Sequence, residues 1–128
     1  MRDTIRFELL LAPTSKWGMN SVYSGKHWNS RNQQATQVHL MVRSAIRKQC
    51  RNITPFDRPV SVSIWYNSRL DLDNHGYLTK MIIDGMKGLL IVDDDRRYVQ
   101  ELHQHFHAFD HRLIFVEVGE IDGKQNSV

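Results

Sequence analysis

The chain reads as a small mixed α/β (α+β) domain, a mixed sheet with two helices packed on it. Two patterns predict this. Short stretches alternate apolar and polar residues at period two, the mark of strands with one buried face. Between them lie two longer stretches whose apolar residues recur at three and four, the mark of amphipathic helices. A third observation fixes the scale: 128 residues bury a real core without staples, and the single Cys50 allows no internal disulfide.

The elements follow in order. Ile5, Phe7, Leu9 and Leu11 share one face of a first strand, which Pro13 ends. Residues 12–28 have loop composition and interleave cations with aromatics: Lys16, Trp17, Tyr23, Lys26, His27 and Trp28. Such a mixture suits stacking on bases and pairing with phosphates, and equally suits tryptophans that cap a core. Asn29 or Ser30 can cap a helix to about Gln49, with Val38, Met41, Val42, Ala45 and Ile46 as its apolar stripe. Arg31, Arg43, Arg47, Lys48 and Arg51 fall largely off that stripe. A turn at 52–58 leads to a second strand in which Val60, Val62, Ile64 and Tyr66 alternate with Ser61, Ser63 and Trp65.

The second helix follows. Leu78, Met81, Ile82, Gly85, Met86 and Leu89 form its stripe, and Gly88 is a natural stop. Two strands end the domain, Tyr98 to Phe109 and Arg112 to Val118, with Asp110 and His111 as the turn of an expected hairpin. The order is strand, loop, helix, strand, helix, strand, strand, in one domain over 1–121 with a polar tail at 122–128. No segment reads as a signal peptide or membrane span, so an intracellular, cytoplasmic protein is expected.

Charge is unevenly spread. Residues 1–58 carry +7 and residues 59–128 carry −4, for a net +3. Six of the fourteen acidic residues fall between Leu70 and Val99: Asp71, Asp73, Asp84, Asp93, Asp94 and Asp95. A basic half beside an acidic cluster suits a polyanion held against bound cations. In an extended segment Asp71 and Asp73 point to one side, and two carboxylates with a third from the Asp93–Asp95 run suit a hard cation such as magnesium. The simpler reading of either aspartate is a helix cap. On the helix, Asp73, Tyr77, Lys80, Asp84 and Lys87 share an arc of about 80° away from the apolar stripe. Lys80 can therefore stabilise charge on a phosphate, or merely pair with Asp84. His103, His105 and His107 share a face of their strand, a pattern that also fits transition metals, although a solvent-facing or subunit-facing edge explains it more simply. Leu102, Phe106 and Ala108 form the opposite, buried-looking face.

Asp71, Leu72, Asp73 and Asn74, a lysine in the following helix, Asp84 with Gly85, and an Asp pair before a strand together resemble the RusA-type Holliday junction resolvases. The segment from Asn20 to Trp28 is similar to that family's stretch between first strand and first helix. The resemblance implies a homodimeric endodeoxyribonuclease of bacteria, phages or prophages that cuts four-way DNA junctions with Mg²⁺, or Mn²⁺ in its place, in recombination and repair. By that resemblance Asp71, Asp73 and Asp94 bind the metal, with Asp93 or Asp95 as alternates to Asp94, and Lys80 is the catalytic lysine. Lys16, Tyr23, Lys26, His27, Trp28 and Arg31 are expected to contact DNA. Lys80 follows Asn74 by six residues, where the family's best-studied form has three. That departure supports the alternative of a module that binds branched DNA or a protein without cutting. A phosphatase with Asp71 as nucleophile lacks an accompanying Ser/Thr loop motif.

Overall fold

A computed structural model describes residues 3–10, 28–66, 72–106 and 113–121, with side chains in the two helices described from Gln34 and from Gly76 onward. It has two helices and one four-stranded sheet: β1 (Ile5–Leu10), α1 (Trp28–Gln49), β2 (Val60–Tyr66), α2 (Leu72–Met86), β3 (Val99–Phe106) and β4 (Leu113–Glu120). The α+β class and the order of elements agree with the sequence patterns.

The sheet order is β1-β4-β2-β3. β4 runs antiparallel to both β1 and β2, and β3 runs parallel to β2. The expected hairpin between the last two strands is therefore corrected: β3 pairs with β2 across the α2 crossover, and β4 inserts between β1 and β2. Burial gives the physical reason. In β4 the alternate residues Ile114, Val116 and Val118 are buried, so it belongs in the middle, where both backbone edges are also paired. β3 carries Glu101, His103, Gln104 and His105 and takes the edge, where polar side chains are tolerated.

One face of the sheet meets both helices in a single core. Val38, Val42 and Ile46 descend α1 at four-residue steps and are fully buried, as are Leu78, Ile82 and Met86 on α2. They pack on Phe7, Leu9, Val62, Ile64, Tyr66, Val116 and their neighbours from the sheet. Met41 and Ala45 lie at the margin of this core. Phe56, which sequence patterning left in a turn, is fully buried, and its backbone N–H donates to Leu90 O at 2.8 Å.

The helices cross closely at Gly85. A β-carbon built there would lie 2.9 Å from Val42 Cβ and 3.3 Å from His39 Cα, so only a hydrogen fits. Arg43, expected on a polar surface, instead closes the end of α2. Its guanidinium donates to Lys87 O at 3.1 Å and Gly85 O at 3.4 Å, satisfying carbonyls that a helix C-terminus leaves open. Gly88 follows with φ +81°, the left-handed stop. The outer edge of β1 is closed by a side chain: Gln49 Nε2 donates to Glu8 O and Gln49 Oε1 accepts from Glu8 N, both at 2.8 Å.

Candidate functional site

The site is built where α2, the segment after it and the edge strand β3 meet. The buried pair Leu90 and Ile91 anchors the returning chain, with Ile91 O accepting from Gly88 N at 2.7 Å. Directly afterwards come Asp93, Asp94 and Asp95. The Tyr98 and Val99 N–H groups both donate to Asp95 O, at 3.0 and 2.9 Å, which turns the chain into β3. The acidic run is thereby held over the end of α2.

The three aspartates of the run have different roles. Asp95 is bound by Arg97, whose Nη2 and Nε approach its carboxylate at 2.8 and 3.1 Å. That hydrogen-bonded guanidinium holds the Asp95 carboxyl below its ordinary range. Asp93 Oδ1 accepts from the Asp94 backbone N–H at 2.8 Å. Asp94 alone of the three lines a cleft between α2 and β3 with Gly76, Thr79, Lys80, Leu102 and Gln104, a cavity of about 220 Å³.

Lys87 organises the carboxylates beside that cleft. Its ammonium lies 3.3 Å from Asp94, 3.6 Å from Asp84 and 3.7 Å from Asp93. The Asp84 and Asp94 carboxyls lie close enough to perturb each other. Burial, then the neighbouring Asp94 carboxyl, pushes Asp84 up, while the neighbouring Asp84 holds Asp94 down. Asp84 pairs with Lys87, three residues on, and not with Lys80, the partner that the simpler reading of Lys80 gave it. Lys80 is exposed and, among the described residues, makes no ion pair.

A hydrogen-bonded chain runs from the core into the cleft. Tyr66 Oη lies 2.6 Å from Thr79 Oγ1, and Thr79 Oγ1 lies 3.0 Å from Gln104 Oε1. A carbonyl oxygen only accepts, so Thr79 donates to Gln104 and its own oxygen receives the Tyr66 proton. Burial pushes the Tyr66 hydroxyl up, which keeps that proton in place. Thr79 is the one buried polar side chain of the described core.

Of the expected metal ligands, Asp94 is on this cleft. Asp73 lies in the first turn of α2, so the alternation of an extended segment does not apply to it; its side chain and the whole of Asp71 lie outside the described residues. Among the described residues no three His, Cys, Asp or Glu side chains are placed to hold a metal. Of the expected DNA contacts, Lys16, Tyr23, Lys26 and His27 lie outside the described residues, and Trp28 and Arg31 open α1 with their side chains outside them.

The histidines stand on the sheet face away from the helices. His105 stacks on Trp65 with centroids 4.7 Å apart, and His103 is 6.3 Å further along. His107 lies outside the described residues. Across the strand, Leu102 and Phe106 are each 46% exposed, so the helix-side face of β3 is only half covered, as its edge position entails. A larger groove, about 600 Å³ between β1 and α1, is lined by residues that include Leu9, Leu10, Leu40 and Met41, and none of the expected site residues lines it.

Sequence patterning missed Thr79, Gln104 and the part played by Lys87. Thr79 sits within the helical stripe's flank, and only the parallel pairing of β3 with β2 brings Gln104 opposite Ile64 and over α2. No signal in α2 alone announces that contact. Neither a family model nor a curated protein matches the chain.

Proposed function

We propose that this chain is a Mg²⁺-dependent, structure-selective DNA endonuclease that resolves four-way junctions by phosphodiester hydrolysis, of the RusA type. The observation that carries the reading is the convergence of Lys80 and Asp94 on one cleft, along the helix whose first turn holds Asp73. The donor chemistry fits a hard cation. Asp94 is an oxygen donor at the cleft wall, Asp73 belongs to the first turn of the same helix, and Asp71 precedes it by two residues in the sequence. Magnesium, when bound, activates water and stabilises the leaving oxygen. Asp71, Asp73 and Asp94 would hold it, while Lys80 places positive charge beside the phosphate undergoing attack. Asp84 and Lys87 fix the Asp94 carboxylate in position.

The protein would act as a homodimer, which sets two cutting sites against the two strands of a junction. A cytoplasmic location, in a bacterium or encoded by a phage or prophage, accompanies this reading. Among the described residues no helix is long and apolar enough to cross a membrane.

The test is cleavage of an end-labelled synthetic four-way junction beside a linear duplex, with and without Mg²⁺. Nicking that needs Mg²⁺, prefers the junction and disappears in Asp73→Asn is the expected outcome. Nicking that persists in Asp73→Asn sinks the proposal. One observation favours a second reading: the Lys87 ammonium already sits 3.3 Å from Asp94, where it competes with a metal. Junction binding with no nicking in Mg²⁺ or Mn²⁺ would establish that non-cleaving module.

A further inference from the structure

We propose that the cleft between α2 and β3 is a seat for one backbone phosphate of the bound nucleic acid, with the side-chain amide of Gln104 as its donor. The inference rests on the nucleic-acid reading above and adds a contact residue to it. Four observations carry it.

The first is polarity. Gln104 Oε1 is taken by the Thr79 hydroxyl, and Thr79 is in turn held by Tyr66. The chain of donors can run only outward from Tyr66, so the remaining group of Gln104 is its NH₂, which carries two donors and no acceptor. The core thus orients a side chain on an edge strand, and what it offers the cleft is suited to an anionic oxygen.

The second is charge. Lys80 lines the same cleft, and its ammonium makes no ion pair among the described residues. The third is room. A cavity of about 220 Å³ holds several times the roughly 30 Å³ share of a water molecule. On the α2 side Gly76 lines the cleft with Thr79, Lys80 and Ile83, and a β-carbon added at Gly76 would meet nothing within 4 Å. The cleft is therefore open at Gly76. The fourth is placement. Asp94 closes the cleft, so a phosphate on Gln104 and Lys80 lies next to the carboxylate proposed to bind metal. A bare carboxylate repels a phosphate, which assigns the Gln104 and Lys80 end to the phosphate and the Asp94 end to the cation.

The test uses the full chain and a fluorescent four-way junction. Binding is read by anisotropy in EDTA, cleavage in Mg²⁺ and folding by thermal melting. Gln104→Glu is the informative variant. It retains an oxygen to accept from Thr79 and replaces the donors with a negative charge, so a purely structural role would survive it. The expected result is junction affinity about tenfold weaker, equivalent to about 1.4 kcal/mol, with the melting temperature preserved and KM raised more than kcat is lowered. Gly76→Leu should weaken binding likewise, because it fills the seat without touching the core. If wild type binds the junction while both variants bind as tightly, the seat is overturned and the nuclease reading stands. If Gln104→Glu loses binding only together with its fold and Gly76→Leu binds normally, the seat is also overturned. Wild-type protein that neither binds nor cuts a junction overturns the seat and the proposed function together.

Discussion

A single ammonium governs the acidic corner of the site. Lys87 reaches three carboxylates within 4 Å, those of Asp84, Asp93 and Asp94. Lys87→Met should cost about 0.5–1 kcal/mol near neutral pH, since its side chain is 40% exposed and solvent screens the pairs. The pH dependence has a definite sign. Burial, followed by the neighbouring Asp94, already raises Asp84, and Lys87 pulls it back down. Without Lys87 the folded-state pKa of Asp84 climbs further above its unfolded value. The folded protein then binds a proton more tightly than the unfolded chain, and stability rises as pH falls through that folded pKa. Urea unfolding of the variant and of wild type at about pH 7 and about pH 5 should show the gap narrowing at the lower pH. A gap that widens on acidification contradicts the assignment. The sequence placed Lys87 and Asp84 on one arc of α2 but paired Asp84 with Lys80, because helical spacing alone treats partners at three and four residues alike. The returning run at Asp93 and Asp94 decides between them, and that is a tertiary contact.

At the scale of elements, the two glycines of α2 behave oppositely. Gly85 is a contact point with α1, and Gly76 faces open space. Gly85→Ala forces its new methyl against Val42 and the backbone of His39, and should destabilise by about 1–3 kcal/mol. Thermal melting should register this as a loss of several degrees; an unchanged midpoint would mean that the helices separate at little cost. The periodicity of Leu78, Ile82 and Met86 made the helix legible from sequence, and Gly85 fell on its apolar face. Why that face needs a glycine was not legible, since the reason is a neighbouring helix some forty residues earlier. Arg43 is the same case. Its spacing put it off the apolar stripe, yet the surface it meets is the end of α2, where it acts as a cap.

For the whole molecule, the local patterns determined the elements and left the sheet order open. Alternation in β1 and β2 gave their buried faces correctly, as Phe7, Leu9, Val60, Val62, Ile64 and Tyr66 show, but alternation says nothing of which strand lies beside which. The short turn at Asp110 and His111 suggested a hairpin, and the deciding quantity was instead the relative burial of β3 and β4. The candidate site followed suit: Asp94 and Lys80 were legible as members of motifs, whereas the cleft they share exists only because β3 lies parallel to β2. At this scale the proposed function makes one further demand. Paired cuts need two active sites, so sedimentation should give twice the 15.1 kDa chain mass at micromolar concentration. A monomer there would remove the basis for paired symmetric cleavage. The central position of β4 also bears on how the chain acquires its structure. Of the described strands β1 is made first and its strand partner among them, β4, is made last, with Arg6 and Glu117 joined across 111 residues. During synthesis α1, β2 and α2 emerge with no closed sheet to pack on, and β1 and β2 present open edges until β4 arrives. The largest loop closure comes at the end, which makes folding slow relative to hairpin-built sheets and leaves the nascent chain dependent on its final strand.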